Sequence, residues 1–364
     1  MTMTNGYFQS DNEQKIDILN LTSLEERARE IVPKGGFGYI TEGSEDEWTL
    51  RENTSAFDHV QIVPRILTNV ENPSTETEIF GVKTSMPIIS APAAAQGLAH
   101  ELATAEGMAA AGTIMSQSTY GTTRIKDTAA AGKGAPQFFQ LYMSKDWDIN
   151  KAWLDEAVAS GVKAIVVTVD SMLGGYREAD IINNFQFPLP MGNMAQLTND
   201  DGTGKGIADI YVAAAQVILP SDIKRVTEYT NLPVIVKGVQ DPDDAQTAIE
   251  AGAAGIWVSN HGGRQLNGGP ASFDTLEAIA ERVNKRMPII FDSGVRRGSH
   301  VFKALASGAD LVAIGRPIFY GLALGGAQGA QSVVEHLNDE FKIVMQLAGA
   351  QTIEDVKKAK LVRR

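Results

Sequence analysis

Three twelve-residue stretches of this chain, 157–168, 248–259 and 304–315, share one design. Each ends a helical pattern in Ala-x-x-x-Gly and runs straight into a short apolar segment: AIVVT, GIWVS and LVAIG. Gly161, Gly252 and Gly308 stand where a helix C′ residue takes up left-handed backbone, a conformation open to a residue without Cβ. The apolar runs scarcely alternate, as parallel strands covered by helices must. A unit of helix, glycine and buried strand, repeated, closes into either a doubly wound open sheet or a barrel.

The spacing decides between them. Strand candidates start near Pro87, Gly112, Gln137, Lys163, Pro233, Gly255, Pro288 and Asp310, with steps of 25, 25, 26, 70, 22, 33 and 22 residues. Eight βα units predict an α/β fold, a (β/α)8 TIM barrel, which typically occupies about 250 residues. Asp241-Pro242 opens one of the intervening helices with a cap and a first-turn proline, and Gly252 closes it. The step of 70 implies an insertion after the fourth strand, residues 175–215, rich in Gly, Asn, Asp and Pro and expected to act as a lid. Two helices are expected before the barrel. One opens at Thr22 or Ser23, the other at Ser44 with Glu47 three residues later as a capping box. The tail continues as helix to a second start at Thr352. The expected division is one domain over 1–364: a helical extension over 1–80, the barrel over 81–324 and C-terminal helices over 325–364.

Composition narrows the function. A chain of 364 residues that is 43% hydrophobic can bury one large core. The net charge of −12 argues against nucleic acid or an anionic membrane as partner. The absence of cysteine excludes disulfides, thiolate metal sites and cysteine nucleophiles, and no metal is expected. No signal-peptide order is seen in residues 1–20, and no apolar run approaches the roughly 20 residues of a membrane span, so a cytoplasmic protein is expected.

Barrel chemistry lies at the C-terminal strand ends. The first strand ends in Pro92, Ala93 and Ala94, small residues that leave room for a flat ring. The second ends at Ser116, the third at Gln140 and Tyr142, the fourth at Thr168 and Asp170, and the fifth at Lys237. The sixth runs into Ser259-Asn260-His261-Gly262-Gly263-Arg264-Gln265-Leu266, which sets a proton acceptor beside a fixed cation. That pairing suits a substrate with a carboxylate next to its reacting bond; taken alone, the motif is equally a sharp surface turn. Asp292, Gly294 and Arg296 follow the seventh strand, and Gly315 and Arg316 the eighth. Singly these arginines read as surface ion pairs; together with their glycines they read as the phosphate site of this fold. Lys237 has two readings, a Schiff-base nucleophile of an aldolase or a lasting positive charge. Asp170 has two as well, a helix cap or the partner that orients His261. His59, His100, His300 and His336 fall in helical or connecting segments and read as structural.

The SNHGGRQL and DSGVRRG segments, the VKG lysine and their spacing closely resemble the FMN-dependent 2-hydroxy acid oxidases, from Tyr39 to the last helices. GGFGYI at 35–40, GTIMSQSTY at 112–120 and the short polar N-terminus are most similar to the bacterial, lactate-oxidising branch. Gln117-Ser118 stand where the glycolate-oxidising branch carries a tryptophan. The resemblance implies FMN as cofactor and oxidation of a small L-2-hydroxy acid, first of all L-lactate to pyruvate, with oxygen reduced to hydrogen peroxide; glycolate or another 2-hydroxy acid is the alternative. It implies His261 as catalytic base held by Asp170, with Arg264 and Tyr39 on the substrate carboxylate and Tyr142 on its hydroxyl. Arg177 would be a second arginine near the substrate and Tyr211 a tyrosine of the lid. Pro92, Ala93, Ala94, Ser116, Gln140, Thr168 and Ser259 would surround the flavin, with Lys237 near its N1 and C2 carbonyl. Asp292, Gly294, Arg296, Gly315 and Arg316 would hold the ribityl chain and phosphate. A homotetramer is expected by the same analogy. The rivals are a Schiff-base aldolase using Lys237 and a ligand-binding barrel without turnover.

Overall fold

The computed structural model describes residues 13–99, 101–197 and 200–364, with the backbone of 3–4 and 7–8. All eight expected strands form: Ile88–Ser90 (β1), Met115–Ser118 (β2), Gln137–Leu141 (β3), Ala164–Thr168 (β4), Val234–Val239 (β5), Gly255–Val258 (β6), Ile289–Phe291 (β7) and Leu311–Ile314 (β8). Neighbours pair in parallel from β2 round to β8, and β8 pairs with β1. The Ser90 N–H donates to the Ile114 carbonyl at 3.1 Å, joining β1 to the start of β2 and closing the ring. The expected (β/α)8 barrel is the observed one.

Its interior is filled by alternate strand residues, among them Ile89, Phe138, Val166, Ile235, Trp257 and Leu311, each fully buried. A hairpin, Thr77–Ile79 with Val82–Thr84, seals the N-terminal end by packing Ile79, Phe80 and Val82 against this cluster. The hairpin leaves the C-terminal end of the barrel as the open one among the described residues. Gly161, Gly252 and Gly308 have φ of 78°, 89° and 111°, the left-handed stops that the repeat requires. Asp241 caps the helix Pro242–Glu250 by accepting from the Asp243 N–H.

The chain before the barrel differs in detail from the expectation. Its first helix, Leu21–Arg29, is capped by Asn20, whose side chain accepts from the Ser23 N–H, so the start falls earlier than Thr22. The capping box at Ser44 does not form. The Ser44 N–H is engaged by the Gly263 carbonyl at 2.8 Å, and Glu47 turns back onto the Gly43 N–H, so the helix begins at Trp48 and runs Trp48–Ser55. A further helix, Lys34–Thr41, lies across the glycine-rich GGFGYI. Local signals miss it because glycine lowers helix propensity and only tertiary packing of Phe37, Tyr39 and Ile40 supports it. Nor is the segment helical throughout. Val60–Ile62 pairs antiparallel with the terminal strand Leu361–Arg363, whose partner is too distant in sequence to be inferred.

The tail forms the long helix Arg316–Ala348, broken at Gly325 and Gly326, then Ile353–Lys357 capped by Thr352 as expected. The insertion carries short helices at Glu178–Ile182, Gly192–Ala195 and Ile207–Ile210. It is pinned to the end of β3 where the Ala215 N–H donates to the Met143 carbonyl at 2.7 Å. No helix among the described residues is long and apolar enough to cross a membrane.

Candidate active site

The turn after β6 is a strained loop held from several sides. His261 sits at φ 59°, a left-handed conformation of the kind that costs about 1–3 kcal/mol outside glycine. Its N–H donates to Ser259 Oγ at 3.0 Å, and the Asn260 side chain accepts from the Gly263 N–H at 3.1 Å. Asn260 is locked in turn by reciprocal bonds to Asn53, on the helix Trp48–Ser55. The N-terminal segment thus supports the loop's geometry.

The imidazole is oriented by the end of β4. His261 Nδ1 lies 3.0 Å from Asp170 Oδ1 and 3.0 Å from Ser171 Oγ, while Ser171 donates to the same carboxylate oxygen. An ionised carboxylate only accepts, so the ring proton resides on Nδ1 and Nε2 presents a lone pair. The Tyr142 hydroxyl faces that lone pair at 3.2 Å. Burial lowers the His261 pKa below its ordinary value, and the charges of Lys237 and Arg177 act in the same direction against Asp170. Burial by itself would raise the Asp170 carboxyl, but its interaction with His261, the Lys237 charge and its hydrogen bonds outweigh it and hold the group low. The result is a neutral base beside an ionised orienter. Burial, with Tyr211 adding to it, raises the Tyr142 phenol well above its usual range, so it remains a donor.

Two guanidiniums flank this base. Arg264 Nη1 donates to the carbonyls of Tyr39 at 2.7 Å and Glu42 at 3.1 Å, and its charged plane lies 4.9 Å from the Tyr39 ring centre. Arg177 approaches the same ring at 5.9 Å and is 4% exposed, yet its Nε and Nη1 have no acceptor. The Tyr39 ring is fixed by stacking on Phe185 at 5.0 Å and by an edge contact with Phe187. A buried cation with unmet donors is a site for an anion.

At the other end, Arg316 donates from Nη2 to the carbonyls of Glu42 and Gly262, while its Nε lacks a partner. Burial, then the neighbouring charges of Arg264 and Arg296, lowers its pKa to about 9. Arg296 stands beside it after β7, and neither arginine has an acidic ion-pair partner among the described residues. A Cβ at Gly294 would lie 2.0 Å from the Asn53 carbonyl, so the loop can pass there only as glycine. The long helix starts at Arg316 itself, so the two loops bring two guanidiniums and a helix start together, a setting that fits an anion.

Between the ends, Pro92, Ala93 and Ala94 form a low floor. Lys237 Nζ donates to Ser259 Oγ at 2.9 Å and lies 3.5 Å from Asp292 Oδ2, the geometry of an ammonium held by a carboxylate rather than a free nucleophilic amine. This ion pair speaks against the Schiff-base reading. Asp292 also accepts from Trp257 Nε1 and from the hydroxyls of Ser259 and Ser293.

These groups converge on one cavity. Its wall includes Tyr39, Tyr142, Arg177, Tyr211, Lys237, His261, Arg264, Asp292, Gly294, Arg296, Gly315 and Arg316 with the floor residues. Ser116, Gln140, Thr168 and Ser259 lie outside the wall. Ser259 is fully satisfied behind Lys237, but Ser116 Oγ, Thr168 Oγ1 and both Gln140 amide atoms are buried without partners on three adjacent strands, the second of which runs on past Ser116 to Ser118. Such unmet donors and acceptors next to a flat floor fit the polar edge of a ring. His300 stacks on Phe57 and His336 contacts Glu340, away from the cavity; His59 is also remote, and His100 lies outside the described residues. Ser171, Tyr120, Glu42 and Asp180 are site residues that the strand-end reading missed. Tyr120 stacks on Tyr142 at 4.8 Å, and only its place in the 112–120 motif hinted at it.

The geometry agrees with known proteins. Residues 28–363 match the family model described as FMN-dependent dehydrogenase. The chain is 66% identical to an L-lactate oxidase of Lentilactobacillus hilgardii, covering 100% of this chain and 99% of that protein. It is 41% identical to glycolate oxidase 3 of Oryza sativa subsp. indica over 93% of this chain and 95% of the relative. A Pediococcus acidilactici protein solved under the name lactate oxidase superposes with a TM-score of 0.96 at 64% identity, covering 100% of this chain and 99% of that one.

Proposed function

The chain belongs to the family of FMN-dependent dehydrogenases, and from that premise we propose that it oxidises L-lactate to pyruvate and passes the electrons to molecular oxygen, giving hydrogen peroxide. The observation that carries this reading is His261: a neutral imidazole whose Nε2 opens between two arginines and a flat floor. FMN, when bound, supplies a two-electron acceptor that oxygen can reoxidise. Removing two electrons from a 2-hydroxy acid also releases two protons, and His261 Nε2 is the atom that takes one of them. Asp170 stabilises the imidazolium so formed, while Ser171 keeps the ring in place. Arg264 and Arg177 hold the carboxylate beside Tyr39, and Tyr142 donates to the hydroxyl oxygen. Tyr120, Tyr142, Tyr211, Met191 and Phe187 wall the substrate end closely, which favours a substrate with a small side chain.

Pro92, Ala93 and Ala94 would lie under the ring of FMN, with Ser116, Gln140, Thr168 and Lys237 at its polar edge and Ser259 behind the lysine. Asp292, Gly294, Arg296, Gly315 and Arg316 would hold its ribityl chain and phosphate. The unmet donors of Arg316, Gln140 and Thr168 support that assignment. The reading also takes the chain as one barrel domain in which the insertion at 175–215 acts as a lid over the substrate. It includes a cytoplasmic homotetramer, checked by light scattering and cell fractionation.

The decisive experiment is anaerobic reduction of the purified protein. L-Lactate is expected to bleach a yellow protein, and air to restore the colour with one equivalent of hydrogen peroxide. Bleaching by glycolate or mandelate but not by L-lactate would replace the substrate. A colourless protein that takes up no FMN would end the reading.

A further inference from the structure

Two buried acids lie at the substrate end outside the chemistry described so far. Glu42 follows the helix that carries Tyr39, and Asp180 belongs to the insertion helix Glu178–Ile182, three residues past Arg177. They are 3% and 7% exposed. Glu42 Oε2 accepts from the Asp180 N–H at 3.1 Å, which sets the two acids side by side. Glu42 Oε1 and both Asp180 side-chain oxygens have no N–H or hydroxyl donor. Two ionised carboxylates in such contact would repel strongly at low dielectric, whereas one shared proton removes the repulsion and supplies the missing donor.

The charged and titratable groups facing the pair come from four elements. Arg177 comes from the insertion and Arg264 from the turn after β6. Arg316, after β8, donates to the Glu42 carbonyl at 2.8 Å, and the Tyr39 phenol stands beside Arg177, Arg264 and Asp180. None of the three guanidiniums forms an ion pair with either acid among the described residues, and two N–H groups of Arg177 have no acceptor at all.

The geometry points to Glu42 and Asp180 as a positioning pair that shares one proton and, by answering each other, leaves Arg177 unpaired for the substrate carboxylate. This rests on Arg177 being a carboxylate anchor. Once the proton leaves, two carboxylates compete with the substrate for Arg177 and Arg264. Burial and the contact with Asp180 push Glu42 up to about 8, so the competition begins just above neutral pH. Because this acid is raised in the folded state, its contribution to stability is complete below the ordinary carboxyl value of 4.5 and is lost as pH rises through about 8.

The test is binding of propionate, an ionised carboxylate without the 2-hydroxyl, to the FMN-loaded protein by calorimetry at pH 7 and pH 9. Propionate isolates the anchor from the base. In the wild type its Kd is expected to rise about tenfold between the two, as the fraction of protein with the shared proton falls. Glu42→Gln, whose amide donates as the proton does, is expected to keep the pH 7 affinity at both values and to remove the alkaline loss of thermal stability. Glu42→Ala weakens binding already at pH 7. A flat wild-type Kd, or a Glu42→Gln variant with the same tenfold rise, overturns the pair. Arg177→Met separates the two ideas: it should weaken propionate at both pH values, and unchanged affinity would remove the anchor itself.

Discussion

The two ends of the cavity are built in different ways. The cofactor end is made by the barrel: strand ends and short loops place Pro92, Lys237, Gly294, Arg296 and Arg316, and backbone geometry does most of the positioning. The substrate end is assembled from afar. Tyr39 comes from a helix before the barrel and Arg177 and Tyr211 from the insertion, beside Tyr142, Asp170, His261 and Arg264 from barrel strand ends and loops. Its charges are set by side chain against side chain: Asp170 on His261, Tyr39 between two arginines, and Glu42 on Asp180. One end is thus a property of the fold; the other belongs to the particular segments laid over it.

Mutation can break this contrast. The largest effect is expected at the substrate end, where His261→Gln should leave a folded, yellow protein whose anaerobic reduction by L-lactate is slower by roughly 10²–10⁴-fold. Near-normal reduction would remove His261 from the base role. At the other end, Arg316→Ala should raise the Kd for FMN by about 10–100-fold, the worth of a charged hydrogen bond, and change the KM for lactate less. The reverse pattern in a flavin titration would mean that the two ends are not separable. Gly294→Ala forces a Cβ against the Asn53 carbonyl and should lower stability by about 1–3 kcal/mol in urea unfolding, with FMN lost before substrate affinity. Tyr142→Phe removes one neutral hydrogen bond and should slow reduction by about tenfold or less. A pH profile sharpens the substrate end further. Since the His261 pKa is lowered, the base form persists below 6.5, and the acid limb of kcat/KM should fall below that value. A limb above 6.5 would mean that Asp170 outweighs burial.

The same contrast explains what could be read in advance. Every residue at the cofactor end follows a strand that the repeat of helix, glycine and apolar run located, so Lys237, Arg296 and Arg316 could be picked out by position. At the substrate end position marked Tyr142, Asp170, His261 and Arg264. Arg177, Tyr39 and Tyr211 came from the family resemblance, since nothing local marks them. Glu42 and Asp180 were missed because a lone glutamate and a lone aspartate outside the strand ends look like solvated surface; only their burial beside each other gives them a task. Ser44 misled for a related reason. Its capping pattern is sound locally, but the Gly263 carbonyl takes its N–H.

Periodicity and glycine placement act over neighbouring residues, so the amino-acid order alone was enough for the barrel, the order of its strands and the turn that carries His261. Tertiary structure alone decided the charge states. The neutrality of His261 and the raised carboxyl of Glu42 arise from burial and from partners tens to hundreds of residues away. Those are electrostatic properties of a packed interior, and no local pattern encodes them.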